Sequence, residues 1–109
     1  MGSVHIKDKK ITILSYQTIV DEVGDVIGKE VPLYENIWAY YRQASGNEIY
    51  LAAQVQAKVE VVFEINWRDN IDTTMTIRYK GNDYNITRID DFEGGKNDLK
   101  IYAYKYGND

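Results

Sequence analysis

A chain of 109 residues, 44% apolar and 28% charged, has the length of one domain and the balance of a chain that can bury a core. No Cys and a single His exclude thiolate metal sites, disulfide scaffolds and thiol nucleophiles, and leave any His-dependent triad resting on His5. Thirteen basic against seventeen acidic residues give a net charge of −4, the wrong sign for coating DNA through its phosphates.

Ten Tyr, two Trp and two Phe beside many Ile and Val, with one Pro, favour pleated surfaces over helices, so a mainly β chain is expected. There is no internal repeat and no low-complexity linker. No apolar run is long enough to span a bilayer, and the first residues lack the apolar core of a signal peptide. Met1-Gly2-Ser3 falls short of a myristoylation signal because Ile6 stands where Ser or Thr is required. The expectation is assembly in the cytoplasm, without a membrane partner.

Residues 1–9 carry no pattern and are expected to be flexible. Ile11 and Ile13 begin a strand that reaches about Val20, and residues 31–42 form a second. The two pair as a long hairpin around an acidic, glycine-containing loop, 21–30. In the second strand Ile37, Ala39 and Tyr41 alternate with Trp38 and Tyr40, which makes the latter two candidates for the outer face, Trp38 beneath the helix that follows. Ser45-Gly46-Asn47-Glu48 fits a capping box, in which Ser45 caps a backbone N–H and Glu48 reaches back, and a helix over 49–57 is predicted. Its apolar residues Ile49, Tyr50, Leu51 and Val55 do not fall on one stripe, so one side has no obvious partner within the subunit.

Over 58–67, Val59, Val61, Phe63, Ile65 and Trp67 share a face, with Val62 the exception, and that face is core. Met75, Ile77 and Tyr79 repeat the alternation, Gly81-Asn82-Asp83 turns the chain, and Tyr84 and Ile86 resume it. The odd step from Ile86 to Ile89 predicts a bulge near Thr87-Arg88 and a bent strand suited to a barrel. After a loop at 93–97, Leu99, Ile101 and Ala103 face inward and Tyr102, Tyr104 and Tyr106 outward. The expected fold is a single small antiparallel β-barrel of about six strands with one short helix between the second and third long strands.

Motifs for chemistry are weak. Gly94-Gly95-Lys96 lacks the remainder of a phosphate loop and precedes a strand. Asp69, Asn70 and Asp72 are too few for a calcium loop and read as a solvated turn. Asp90 and Asp91, next to Glu93, point to opposite faces of a strand, and His5 has no partner at a recognisable spacing. No catalytic residue, cofactor or metal is expected. What remains is surface, and outward Tyr and Trp suit protein interfaces.

In this order and spacing, Ile37-Trp38-Ala39, Gly46-x-Glu48 with its alanines, Ile65-Asn66-Trp67-Arg68 followed by Ile71, the hairpin Arg78 to Ile86, and Leu99-Lys100-Ile101 resemble the bacteriophage head-tail joining proteins, the head-closure or stopper family. The resemblance implies a β-barrel with an inserted helix that assembles with copies of itself into a ring, commonly a dodecamer, at the head-tail interface of the virion. Such a ring sits between the portal-adaptor ring and a tail-completion or tail protein. It closes the portal channel on packaged DNA, which passes without sequence-specific binding. Under this reading Ile49, Tyr50, Leu51, Val55, Tyr102, Tyr104 and Tyr106 are interface residues, and Asp21, Glu22, Asp25 and Glu30 line the channel and repel DNA. Two alternatives are a tail-completion protein of the same connector and a barrel of the oligonucleotide-binding class stacking single strands on Trp38, Tyr40, Tyr102 and Tyr104.

Overall fold

A computed structural model describes residues 6–92 and 94–106, so His5, Glu93 and Met1-Gly2-Ser3 lie outside the described residues. The elements are β1 (Lys9–Val20), β2 (Val26–Gln43), α1 (Gly46–Gln54), β3 (Val61–Asn66), β4 (Thr76–Tyr79), β5 (Asn82–Asp90) and β6 (Asp98–Lys105). All pairings are antiparallel, and the six strands close into a barrel in the order β1-β2-β3-β6-β5-β4. The mainly β barrel with one helix between β2 and β3 is the expected architecture. Among the described residues, no helix is long and apolar enough to cross a membrane.

Alternation builds the core. Ile11, Ile13, Ile37, Ala39, Val61, Phe63, Ile65, Ile77, Ile101 and Ala103 point inward and are almost fully buried. Phe63, with no exposed surface, sits among the rings of Tyr41, Tyr79 and Tyr84 at centroid distances of 5.3, 5.7 and 5.4 Å. The tilted and edge-on arrangements are those favoured by aromatic quadrupoles. Trp67 is only half-buried at the core's edge, with the Lys96 ammonium 5.3 Å from its ring.

Three local features bend the wall. The expected bulge is present: Ile86 pairs with Ala103 and Arg88 with Tyr102, leaving Thr87 extra, so that Ile86 and Ile89 both reach the core side. The hairpin between β4 and β5 turns tighter than expected, on Lys80 and Gly81 alone, both with positive φ, while Asn82 and Asp83 already pair with Tyr79 and Arg78. Two central residues with positive φ are what a type I′ turn needs, and its twist matches that of the flanking strands. In β2, Asn36 adopts φ 56° opposite Thr12 where the register of β1 shifts, and Leu33, three positions earlier in the strand, is a second extra residue.

That double irregularity marks where the molecule changes character. Beyond Leu14, β1 has only β2 as a partner, and the two strands leave the barrel as a free ribbon. The ribbon turns at residues 21–25, not over the whole of 21–30: β2 begins at Val26, and Glu30 is a strand residue paired with Tyr16. The molecule is therefore elongated, 60 × 28 × 28 Å. At the opposite end, Lys7 lies 3.0 Å from Asp98 and Lys9 pairs with Ala39.

Because Phe63 fills the centre of the ring cluster, Phe63→Ala is expected to lower unfolding free energy by about 3–5 kcal/mol in a denaturant titration. A loss below about 1 kcal/mol would mean that the rings collapse into the space and that the core does not depend on this side chain.

Candidate assembly surface

The helix is held at both ends yet buried nowhere. Ser45 Oγ accepts from the Glu48 N–H at 3.2 Å and Glu48 Oε1 accepts from the Ser45 N–H at 2.8 Å, the reciprocal capping box. The Glu48 carboxylate also takes a two-pronged ion pair from Arg42 of β2, at 2.7 and 2.8 Å. Arg42 and the Ser45 backbone hold the Glu48 carboxyl at about 2, against partial burial, which acts the other way. At the far end the Gln56 N–H donates to the Ala53 carbonyl and the Ala57 N–H to that of Ala52, a Schellman closure with Gln56 at φ 57° where glycine is usual. The helix thus ends at Gln54, three residues earlier than predicted.

No residue of α1 is buried. Tyr50 is 62% and Val55 75% exposed, and Ile49 and Leu51 are exposed as well. Between the helix and the outer wall of the barrel runs an open apolar groove of about 240 Å³, with Leu51, Ala52 and Val55 on one side and Val59, Arg88 and Tyr102 on the other. Trp38 is not the residue beneath the helix: it is 52% exposed, with Lys10 4.8 Å from its ring. Two outer-face residues of β3 disappear instead: Val62, the exception in its strand, set between Arg42 and Tyr102 and fully buried, and Glu64, two positions on.

The outward tyrosines separate. Tyr102 lines the groove, its hydroxyl pKa raised by burial and by the nearby Glu48, with the Arg88 guanidinium 4.7 Å from the ring. Tyr104 is half-buried with Lys58 5.4 Å above it, while Lys58 is fixed through its carbonyl, which accepts from Thr87 Oγ1 at 2.5 Å. Tyr106 is exposed and lies with Tyr16, Gly28 and Glu30 around a second, more polar hollow at the root of the ribbon.

The ribbon is the other unusual surface. Its cross-strand pairs Ile19–Ile27 and Val20–Val26 are neighbours in register and so point to opposite faces, and all four side chains are exposed. Val23 at the tip is 80% exposed. Asp21 is used by the turn, accepting from the N–H groups of Val23 at 3.0 Å and Asp25 at 2.8 Å. Glu22 and Asp25 enter no ion pair among the described residues. Glu30 stands apart from them, down the strand and 3.7 Å from Arg78, which is itself held by Asp83 at 2.8 Å.

The remaining acidic motifs organise turns. Asp90 accepts from the Phe92 N–H and Asp91 from the Gly94 N–H, and Asp72 holds the Thr74 backbone and hydroxyl. No group of three His, Asp or Glu stands together to hold a metal among the described residues. Sequence reasoning missed the ribbon as a surface, because its aliphatic residues alternate on two faces and look like an ordinary strand.

Comparison with known proteins gives a consistent picture. The family model described as phage head completion protein matches residues 7–105. The solution structure of a protein from Shigella flexneri 2a superposes with a TM-score of 0.80 at 19% identity, covering 99% of this chain and 100% of that one. A chain in the virion of a native gene transfer agent particle superposes with a TM-score of 0.55 at 11% identity, over 88% of this chain and 91% of that one. At these identities the two structures establish the fold. A search of curated protein sequences gave no match.

Since Arg42 and the cap depress the Glu48 carboxyl in the folded state, that stabilisation is complete above the ordinary value of 4.5 and is lost as pH falls toward about 2. The Ser45 and Glu48 amide NMR shifts are expected to titrate with a midpoint near 2, and Glu48→Gln to abolish the transition. A midpoint near 4.5 would show that neither partner engages the carboxylate in solution.

Proposed function

The chain belongs to the phage head completion protein family, whose members are structural parts of the virion, and from that premise we propose that it forms a homo-oligomeric ring at the head-tail junction. The ring stacks on the portal-adaptor ring, closes the channel on packaged DNA and presents its far side to a tail-completion or tail protein. Its work is mechanical, with no reaction to catalyse.

The observation that carries this reading is α1: a helix capped at both ends and clamped by Arg42, yet with Ile49, Tyr50, Leu51 and Val55 in solvent. Rigid, exposed apolar side chains are what a protein interface uses, because little conformational entropy remains to be lost on docking. Tyr102, at the wall of the groove, and Tyr104 and Tyr106 further along β6 extend the candidate interface. The net charge of −4 fits a channel component that DNA must slide past.

The single-strand-binding alternative is less well supported. Stacking needs open aromatic faces, and Lys10, Arg88 and Lys58 already lie over Trp38, Tyr102 and Tyr104. A titration against single-stranded DNA at low salt is expected to show no binding; affinity that falls with rising salt would favour the alternative.

Electron microscopy of the chain mixed with portal and adaptor rings is expected to show an added ring coaxial with the portal. Tyr50→Asp is expected to leave thermal unfolding unchanged and to remove that ring, since the side chain is exposed in the single copy but would be desolvated in the contact. A chain that never enters a ring with those partners overturns the reading. Unfolding of the variant would place Tyr50 in the core of the subunit.

A further inference from the structure

Among the described residues, the apolar side chains at the ribbon's tip and those beside α1 lie in solvent, at opposite ends of one strand. β2 starts at Val26 beside the ribbon's tip and ends at Gln43, from which two residues lead into α1 and its groove. Eighteen residues of strand span about 56 Å at the usual rise of ~3.3 Å per residue, in keeping with the 60 Å long axis. The tip cannot reach the groove of its own copy.

We propose that the tip of the β1–β2 ribbon in one copy seats in the α1–barrel groove of the next, an arm-in-groove contact that rests on the ring reading and gives it a pair of surfaces. A two-stranded ribbon is at best marginally stable alone in water, and this one places Ile19 and Ile27 on one face and Val20 and Val26 on the other, with Val23 leading. It has the form of a wedge built to enter a second body. The groove, at about 240 Å³, lies below the ~300–1,000 Å³ of small-molecule pockets and suits a few aliphatic side chains.

Charge selects against contact between two tips. Glu22 and Asp25 flank the tip, while the rim of the groove carries balanced charge: Arg88 is paired with Asp90 at 3.3 Å, Lys58, beside Ala57 and Val59, with Glu60 at 3.6 Å, and the lining Glu48 with Arg42 at 2.7 Å. Two acidic tips repel each other, whereas a tip meets no net like charge at the rim of the groove. Because the two surfaces differ and lie at opposite ends, the contact is head-to-tail and can be repeated in one direction until the ring closes. This placement takes Asp21, Glu22 and Asp25 out of the channel wall, where their charge alone would put them.

The absence of cysteine makes the test clean. Val23→Cys and Leu51→Cys, both at exposed positions, are prepared as separate chains distinguishable by a size tag. They are mixed with portal and adaptor rings and treated with a short bis-maleimide. The expected product is the mixed dimer joining one tip to one groove, and Val23→Asp is expected to weaken self-association by roughly tenfold or more. Rings seen by electron microscopy without the mixed dimer, or with tip-to-tip or groove-to-groove dimers in its place, overturn the arm and leave the ring reading intact. No ring under any of these conditions overturns both.

Discussion

A barrel 28 Å across cannot bury an 18-residue strand. The elongated shape of this molecule follows from that mismatch in β2. Its end, from Ile37 onward, contributes alternate side chains to a closed core and Tyr34 packs at that core's edge; its start, paired with β1 beyond Leu14, has no core to face and is carried outward. The extra residues Asn36 and Leu33 make the transition, since an inserted residue bends a strand and resets which side chains share a face. Closure itself depends on a short seam, the pairing of Thr12, Ile13 and Leu14 with β4, beyond which β1 is free.

The helix follows the opposite logic. Its stability comes from its ends and from one ion pair, because no residue along it is buried. Most helices in proteins are held by burying an apolar face. Here the capping box, the Arg42–Glu48 clamp and the Schellman closure hold the backbone in place while the apolar side chains stay available. A surface so prepared loses little freedom when it meets a partner, which suits a component that must join a larger assembly of the virion.

The same division explains the charges. Carboxylates that sequence alone groups as one acidic loop turn out to have separate employment: Asp21 shapes the turn, Glu30 faces Arg78 at the ribbon's root, and Glu22 and Asp25 remain at the tip. Cations are likewise distributed over outward aromatics, so that Trp38, Tyr102 and Tyr104 each carry one against the ring. The described outer surface combines small pairings with exposed apolar side chains at the ribbon's tip and on α1.

Alternation along the chain determined the barrel's inner face, the β4–β5 hairpin, the Thr87 bulge and the outward tyrosines, because a period of two is a local property that any single strand displays. Ser45 and Glu48 likewise announced the helix start, since a capping box acts over three residues. What the sequence could not determine is where each outward side chain ends up. Whether Trp38 or Val62 is covered depends on neighbouring strands and on how the chain returns after β2: Val62 lies between Arg42 and Tyr102, and the helix, ended at Gln54 by a left-handed turn at Gln56, comes back beside Tyr102 and leaves Trp38 exposed. Nor could alternation distinguish a strand inside the barrel from one beyond it: Ile19, Val20, Val26 and Ile27 read as strand in either place, and only closure of the sheet at Leu14 leaves them in solvent.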